Sequence, residues 1–183
     1  MDIGTECYYR FINGDKTGLE DLVKLFNDNL IIFINGYVKN ISAAEDIAAD
    51  TFAELIVKQS PFAAKYSFKT WLFRIARNNA VDYIRKYKRH IRIEISESDA
   101  VSEEALEKSV IKDEQHQHLQ KALKKLKKEY SDVLYLIYFE EMTYEEAGVI
   151  LKKSSKQIKN LAFRAKNALK EIMLKEGFQY EEL

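Results

Sequence analysis

The sequence contains 183 residues, of which 46% are apolar and 32% charged, with one proline and six glycines. A chain of this length forms one large or two small globular domains, and the scarcity of helix breakers and of alternating strand patterns predicts an all-α fold. The 29 basic and 29 acidic side chains cancel, so we expect the isolated chain to bind a polyanion poorly.

Cysteine usage and hydropathy exclude several classes of protein. Cys7 is the only cysteine, which argues against a disulfide framework and a thiolate metal site. The chain start lacks the pattern of a signal peptide, and no apolar run is long enough to cross a bilayer. We therefore expect a cytoplasmic protein with no membrane insertion.

Charge is distributed unevenly along the chain. Residues 85–92 contain five basic and no acidic side chains, residues 93–114 contain eight acidic and two basic ones, and residues 121–175 contain thirteen basic against seven acidic ones. Two cationic regions separated by an acidic connector are typical of a protein that contacts one polyanion at two places.

The first predicted helix follows a short lead-in, residues 1–16, that ends in a Gly14-Asp15 turn. Thr17 and Glu20 form a T-x-x-E capping box at its start. Its apolar residues recur with the period of a core-facing helix: Leu19, Leu22, Val23, Phe26, Leu30, Phe33, Ile34, Tyr37 and Val38.

The second predicted helix opens on another capping box, Ser42 with Glu45, and continues to about Lys58. Its inward residues are Ile47, Ala48, Phe52, Leu55 and Ile56. Three acids at successive i,i+4 positions form a row of like charge: Asp46, Asp50 and Glu54. The row is either a solvated face or a contact site for a basic protein partner, and the residues alone leave both interpretations open.

Pro61 ends that helix, and the loop of residues 60–67 carries two aromatic side chains, Phe62 and Tyr66. Aromatic residues in a connector either cover the edge of a core or form a pocket for a base that has left a duplex. The loop sequence is compatible with both.

The third predicted helix, residues 68–92, combines aromatic and cationic residues. Its apolar stripe comprises Leu72, Ile75, Ala76, Ala80, Tyr83, Ile84 and Tyr87. The remaining surface, flanked by Trp71 and Phe73, carries the cations Arg74, Arg77, Arg85, Lys88, Arg89 and Arg92. Cations neutralise phosphate and aromatic rings stack on unpaired bases, so the pattern favours contact with an opened nucleic-acid strand. The alternative is an ordinary amphipathic helix with a solvated basic face.

Periodicity disappears after Arg92, and the polar, acidic segment that follows predicts a domain boundary. His116 and His118 fall on different faces of a helix and have no third ligand nearby, so we expect no metal site. The sequence also contains no glycine loop for phosphate and no nucleophile–base pair. An enzyme built on Cys7 or on these histidines is therefore not expected, nor is a cofactor or a small-molecule substrate.

The second half predicts short helices joined by tight turns. Apolar residues lead to a turn at Lys127–Tyr130, and Ser131 is predicted to cap the next helix. After a turn at residues 140–142, Thr143 and Glu146 form a third capping box. The inward residues of these segments are Leu119, Leu123, Leu126, Val133, Leu134, Ile137, Tyr138, Ala147, Ile150 and Leu151.

Ser154 is predicted to cap the last helix. Its inward residues are Ile158, Leu161, Ala162, Ala165, Leu169 and Ile172, and its other faces carry Lys156, Gln157, Lys159, Asn160, Arg164 and Lys166. A short helix, a tight turn and a longer helix that begins with basic and amide residues are typical of a helix-turn-helix. Glutamine and asparagine pair with adenine edges, and lysine and arginine with phosphate or guanine. The alternative is a helical hairpin with a lysine-rich exterior.

Both halves resemble one family, the extracytoplasmic-function sigma factors of bacterial RNA polymerase. The segment S-A-A-E-D-I-A-A-D-T-F-A-E-L is similar to the acidic helix of their domain two, and F-K-T-W-L-F-R-I-A-R-N-N-A-V-D-Y-I-R-K to its most recognisable stretch. The segment from Leu126 to Leu151 and I-K-N-L-A-F-R-A-K-N-A-L-K resemble domain four. The likeness extends from Gly18 to Met173 except for the connector.

The resemblance implies two small helical domains joined by an acidic linker. Residues 1–92 correspond to sigma domain two, a helical bundle, and residues 93–115 to the linker. Residues 116–176 correspond to sigma domain four, a helix-turn-helix, and residues 177–183 form a tail.

The resemblance also assigns a role to each surface. Core polymerase binding falls on Asp46, Asp50 and Glu54. Contact with the minus-ten element falls on Phe62, Lys65, Tyr66, Lys69, Trp71, Arg74, Arg77 and Asn78. Contact with the minus-thirty-five element falls on Ser154, Lys156, Gln157, Lys159, Asn160, Phe163 and Arg164.

The implied function is that of an alternative sigma factor, which binds core RNA polymerase, directs it to promoter DNA and helps to open that DNA. An anti-sigma factor is a further partner implied by the family. The competing interpretation is a conventional helix-turn-helix regulator whose N-terminal half is a dimerisation or sensor domain.

The sequence departs from the family at three places. The turn that usually reads leucine, glycine, branched apolar residue, serine is Leu151-Lys152-Lys153-Ser154 here, without the glycine and without the apolar plug. Gly148 replaces the usual alanine, which costs about 1 kcal/mol of helix propensity at an exposed site. Ala49 replaces a commonly polar residue on the helix that faces the polymerase.

Overall fold

The fold is described from a computed structural model in which residues 2–58, 65–94, 122–123 and 125–175 are described. Every element in these ranges is helical, and the chain divides into two compact units, residues 1–105 and 106–183. In the first unit the helices are α1 (Ile3–Ile12), α2 (Thr17–Val38), α3 (Ile41–Lys58) and α4 (Phe68–Glu94). In the second they are α5 (Lys128–Leu134), a π-helical turn (Tyr135–Phe139), α6 (Tyr144–Leu151) and α7 (Ser155–Lys175). The predicted all-α fold with two helical units is confirmed.

The first unit is a bundle in which α1, α3 and α4 all pack against α2. The inward stripe predicted for α2 is confirmed at Leu22, Phe26, Leu30, Phe33 and Ile34, which are all buried. Aromatic rings connect α2 to α4, with ring centroids 5.9 Å apart for Phe26–Phe68 and 5.2 Å for Phe33–Phe73. These contacts fix the position of α4, the helix that carries the predicted nucleic-acid contacts.

The N-terminal lead-in is itself a helix, α1, which the sequence analysis did not predict. The Asp2 side chain caps α1 by accepting from the Thr5 N–H, and Tyr8 is fully buried. The helix lies very close to α2, because a Cβ added to Gly18 would approach the Cys7 carbonyl oxygen to 2.4 Å. Only glycine permits this approach.

Arg10 connects α1 to the start of α2. Its guanidinium forms ion pairs of 3.0 Å with both Asp15 and Asp21. Hydrogen bonds from Thr17, and then from Arg10, hold the pKa of Asp15 below its ordinary value. All of these groups are substantially exposed, so the cluster orients the turn more than it stabilises the unit.

Two predicted capping boxes are wrong. Thr17 is the first helical residue of α2, and Asp15 accepts from its N–H at 3.0 Å. Asn40 caps α3 by accepting from the Ala43 N–H at 2.9 Å, in place of Ser42. In both cases a side chain two residues before the predicted cap reaches an unpaired N–H at the helix end, which is the requirement for a cap.

The apolar pattern of α3 and α4 needs three corrections. Phe73, expected beside the cationic surface, is fully buried. Tyr83 and Tyr87, expected in the core, are 39% and 48% exposed and stack on each other, with ring centroids 6.2 Å apart. Ile56, also expected inside, is 43% exposed. The predicted core residues Leu72, Ala76 and Ala80 are buried.

In the second unit α5 and α6 both pack on α7, around a core of Val133, Leu136, Ala147, Ile150, Ile158, Leu161, Ala162 and Ala165. The Thr143–Glu146 capping box is confirmed, with reciprocal hydrogen bonds of 3.2 and 3.1 Å. Ser131 is wrong as a cap: it lies inside α5, and its hydroxyl donates to the Lys128 carbonyl.

A π-helical turn follows α5 directly. Its rings at Tyr135 and Phe139 stack with centroids 5.7 Å apart, and Glu140 behind it is buried. Burial, and then the neighbouring Glu140 carboxylate, raise the pKa of the Tyr135 hydroxyl above its ordinary value. A π-helical turn is an infrequent element, and no pattern in the sequence predicted it.

Several sequence predictions concern residues outside the described ranges: Phe62, the linker beyond residue 94, His116, His118 and the tail. Among the helices that the structure does describe, none is long and apolar enough to cross a membrane. The same residues contain no group of three His, Cys, Asp or Glu side chains placed to hold a metal ion.

Candidate polymerase and nucleic-acid interfaces

The acidic row of α3 lies on the surface of the first unit, but its three members differ. Asp46 and Asp50 are exposed, and the exposed residues Ala49 and Ala53 lie beside them. These small side chains leave the two carboxylates sterically accessible. Glu54 is only partly exposed and pairs with Lys58, so part of its charge is already compensated.

Glu54 also belongs to a contact between α3 and α4. The Asn79 side-chain amide donates to the Thr51 hydroxyl at 3.2 Å and approaches the Glu54 carboxylate at 3.4 Å. Thr51 is fully buried and donates in turn to the Ile47 carbonyl at 2.7 Å. This contact, the α3–α4 brace, connects the helix of the acidic row to the helix of the cationic row. Sequence reasoning missed Asn79, because nothing in its local pattern distinguishes a bridging amide from a surface amide.

The cationic face of α4 is graded in exposure. Arg74 is exposed, and Arg77 and Asn78 are half-buried. The Arg77 Nε atom is buried, and no hydrogen bond reaches it. The outer part of the guanidinium is therefore the part placed to meet an anion.

Trp71 stands at the edge of the core. Its ring makes edge-to-face contacts with Tyr8, at 5.4 Å between centroids, and with Phe68, at 5.6 Å, yet the residue is partly exposed. An aromatic ring held on one side and open on the other can stack on an unpaired base without first losing much side-chain entropy. Tyr8 in α1 therefore positions a residue that the sequence singled out in α4.

The segment that enters α4 brings two more of the predicted residues to the surface. The Lys65 ammonium lies 5.5 Å from the centroid of the Tyr66 ring, within the range of a cation–π contact. The Ser67 hydroxyl accepts from the Thr70 N–H at 3.3 Å and fixes the start of the helix. Lys69, on the first turn of α4, is half-buried.

The turn between α6 and α7 is built without its expected glycine. Lys152 takes the left-handed conformation, with φ of 57°. Lys153 lies half-buried at the position of the apolar plug, with its ammonium 3.9 Å from the Glu129 carboxylate of α5. Gly148 permits this turn, because a Cβ there would lie 2.5 Å from the Lys153 carbonyl oxygen. Gly148 is buried, so the expectation of a simple loss of helix propensity at an exposed site was incomplete.

Ser154 caps α7 as predicted, and it does so through a reciprocal pair. The Ser154 hydroxyl accepts from the Gln157 N–H at 3.3 Å, and the Gln157 side-chain oxygen accepts from the Ser154 N–H at 2.8 Å. Ser155 donates to Glu145 of α6 at 2.9 Å, which joins the two helices across the turn.

The outer face of α7 presents the predicted contact residues together. Lys156, Gln157, Lys159, Asn160, Phe163 and Arg164 are all exposed. Phe163 is 67% exposed although it is aromatic. The predicted inward residues Ile158, Leu161, Ala162 and Ala165 are buried, so the division of α7 into a packed side and a free side is confirmed.

Family models match both units of the chain. The model for Sigma-70 region 2 matches residues 22–90, and the model for Sigma-70, region 4 matches residues 116–169. The chain is 26% identical over 154 residues to the extracytoplasmic-function (ECF) RNA polymerase sigma factor SigM of Bacillus subtilis. This alignment covers 84% of the chain and 94% of that relative. It is 29% identical over 167 residues to the ECF RNA polymerase sigma factor SigW of the same organism, and this alignment covers 86% of the chain and 89% of SigW. The chain belongs to the ECF sigma factors.

Solved structures agree with this assignment of the sigma factor. The RpoE sigma factor of Bartonella quintana, solved in complex with the anti-sigma factor NepR, is 28% identical with a TM-score of 0.65, over 84% of this chain and 95% of that one. CnrH, solved in complex with the cytosolic domain of CnrY, shares the fold, with a TM-score of 0.66 and 21% sequence identity. The superposition covers 94% of this chain and 97% of CnrH. As a member of the family, the sigma factor binds core RNA polymerase and directs it to promoters, and the conventional-regulator interpretation is not favoured.

Proposed function

We propose that the two units of this sigma factor divide promoter recognition between them. The first unit docks on core polymerase through the exposed acids of α3 and captures the melted minus-ten strand through α4 and the segment before it. The second unit lays the outer face of α7 into the major groove at the minus-thirty-five element. The boundaries are those of the sequence: residues 1–92 for the first domain, 93–115 for the linker and 116–176 for the second.

One observation carries the strand-capture proposal: Trp71 is packed on one side and open on the other, with Arg74 exposed three residues later on the same helix. A stacking ring beside a cation favours a separated strand over a duplex, because bases offer their faces only after unstacking. Extruding a base costs a few kcal/mol, and stacking on an aromatic side chain returns about 1–3 kcal/mol per base. Capture of several bases therefore biases melting.

The polymerase supplies what the isolated chain lacks. With equal numbers of acidic and basic side chains, the chain has no net positive charge to hold a duplex. When the polymerase holds both units, binding of one raises the effective concentration of the other at its own site. The sigma factor then acts as a specificity subunit and not as an enzyme, and it works in the cytoplasm with the polymerase.

Permanganate footprinting tests this division of roles. We expect the purified chain alone to leave promoter thymines unreactive, and the chain with core polymerase to expose reactive thymines around the minus-ten element. Reactive thymines without polymerase, or a dimer that binds duplex DNA with a strong salt slope, would favour the conventional-regulator interpretation.

We also propose that an anti-sigma factor holds this chain inactive. The support is by likeness: the RpoE structure at 28% identity was solved with the anti-sigma factor NepR. Co-purification of the chain from its native cells tests this proposal, since the inhibitor should be found bound to the chain. The bound inhibitor would have to leave before core polymerase could bind.

A further inference from the structure

The start of α7 contains two amide side chains that the sequence treats alike, Gln157 and Asn160. The structure places them in different situations. The inference drawn from this difference rests on the proposed role of α7 at the minus-thirty-five element.

Gln157 is part of the helix cap. Its side-chain oxygen accepts from the Ser154 backbone N–H at 2.8 Å, and the Ser154 hydroxyl accepts from the Gln157 N–H at 3.3 Å. Because the partner of the side chain is a backbone donor, the amide must present its oxygen inward. This reciprocal S-x-x-Q pair satisfies two backbone N–H groups at the helix end. The Gln157 NH₂ remains available to DNA as a donor, and its oxygen keeps the one lone pair that the Ser154 N–H does not use.

Adenine in the major groove requires both halves of an amide. It presents an acceptor at N7 and a donor at N6, so asparagine or glutamine pairs with it by donating to N7 and accepting from N6. The oxygen of Gln157 is directed at the Ser154 N–H, so the residue would have to reorient its amide to aim both groups at one base edge. With its donor alone it fits the acceptors of guanine, of thymine or of phosphate.

Asn160 has no such duty at the helix end. It lies one turn further along α7 and is exposed, and its backbone carbonyl lies 3.4 Å from Arg164 Nε. The i,i+3 spacing places Asn160 between Gln157 and Phe163 on the outer face. The residue is exposed, and among the described residues no hydrogen bond to its side-chain amide is formed, so both the oxygen and the NH₂ are available to a base. We propose that Asn160 is the residue of α7 that reads adenine in the minus-thirty-five element, and that Gln157 is a capping residue that contributes a donor only.

The experiment uses holoenzyme assembled from the full chain and core polymerase, with a promoter library randomised in the upstream element. Variants are Asn160→Ala, Asn160→Asp and Gln157→Glu, whose carboxylate keeps the acceptor for Ser154 but has no N–H to donate. Asn167→Ala is the matched control, since Asn167 is also an exposed asparagine of α7. Thermal unfolding of each chain is measured beside the selection.

We expect both Asn160 variants to reduce the preference for adenine at one position by about 5- to 150-fold, the range of one bidentate contact. Gln157→Glu and Asn167→Ala should change every adenine preference less than about twofold. Replacing the selected adenine by 7-deazaadenine removes N7. It should weaken wild type and Gln157→Glu and leave Asn160→Ala unaffected.

Two results separate the possible failures. Loss of an adenine preference in Gln157→Glu, or its retention in both Asn160 variants, would overturn this assignment while leaving the role of α7 in place. A wild-type holoenzyme that enriches no upstream sequence would refute the proposed minus-thirty-five contact, and this inference with it.

Discussion

Gly148 offers the sharpest test of how the helix-turn-helix is built. Replacing it by alanine improves helix propensity by about 1 kcal/mol, so propensity alone predicts a more stable protein. The structure predicts the opposite. The added Cβ would lie 2.5 Å from the Lys153 carbonyl oxygen, and a backbone atom cannot move aside as the end of a side chain can.

The magnitude follows from two local costs. Relieving the overlap costs about 1–3 kcal/mol, and the 3.0 Å hydrogen bond from the Lys153 N–H to the Gly148 carbonyl, if lost, costs about 1 kcal/mol more. After subtraction of the propensity gain, we expect Gly148→Ala to lower the unfolding free energy of the second unit by about 1–3 kcal/mol. For a unit of this size each kcal/mol corresponds to a Tm shift of about 4–8 °C.

Differential scanning calorimetry of the full chain measures the effect, with Lys152→Gly as the control of opposite sign. Lys152 adopts a φ of 57°, and glycine there should raise the unfolding free energy by about 0.5–1 kcal/mol, the relief of strain less the flexibility gained by the unfolded chain. If Gly148→Ala proves as stable as wild type or more so, the close approach of the turn to α6 is not a constraint.

Three further predictions concern the contact surfaces. Charge reversal of Asp46 and Asp50 should weaken binding to core polymerase by at least tenfold, measured by fluorescence anisotropy. Glu54→Gln should change this affinity less than threefold, because the Glu54 carboxylate is already paired with Lys58. Equal losses of affinity would make Glu54 a direct contact. Trp71→Ala should reduce permanganate-reactive thymines at the promoter more than it reduces duplex binding, and equal opening by the mutant would assign Trp71 to the core alone. Phe163→Ala should abolish any discrimination between thymine and uracil in the upstream element, because exposed apolar side chains such as Phe163 can contact the thymine methyl group. A variant that still distinguishes the two bases would remove Phe163 from base recognition.

Periodicity predicted which face of each long helix packs inward, but not how far its neighbours extend. Leu72, Ala76 and Ala80 continue into Tyr83 and Tyr87 with the same spacing, yet the two tyrosines are exposed and only the earlier residues are buried. A stripe on one helix carries no information about where the partner helices end. The length of α4 against its neighbours is a tertiary property.

Helix starts were predictable only where no competing side chain precedes the cap. Thr143 and Ser154 cap as expected. Asp15 and Asn40 take the place of Thr17 and Ser42, because the path of the preceding turn decides which oxygen reaches the N–H first. The helix α1 was missed for a related reason: its tyrosines, threonine and cysteine are modest helix formers, and packing against α2 determines its conformation.

The candidate site residues were found largely because their chemistry is local. The exposure of the cations and amides on α7 follows from helical spacing alone, whereas Phe163 was assigned to this face through the family resemblance. Tyr8 and Asn79, which hold the site residues in place, belong to contacts between helices that are distant in the sequence, and no short pattern reveals such contacts.

The α3–α4 brace has a consequence for the relative orientation of these two helices. Asn79 directly follows Asn78 in α4, and its side-chain amide forms hydrogen bonds with Thr51 and Glu54 of α3. Both partners lie within four residues of Asp50 in the sequence. These hydrogen bonds near the middle of α4 restrain its rotation about its own axis. The orientation of Arg74 and Trp71 is therefore tied to that of the acidic row on α3, and the two proposed contact surfaces are expected to move together.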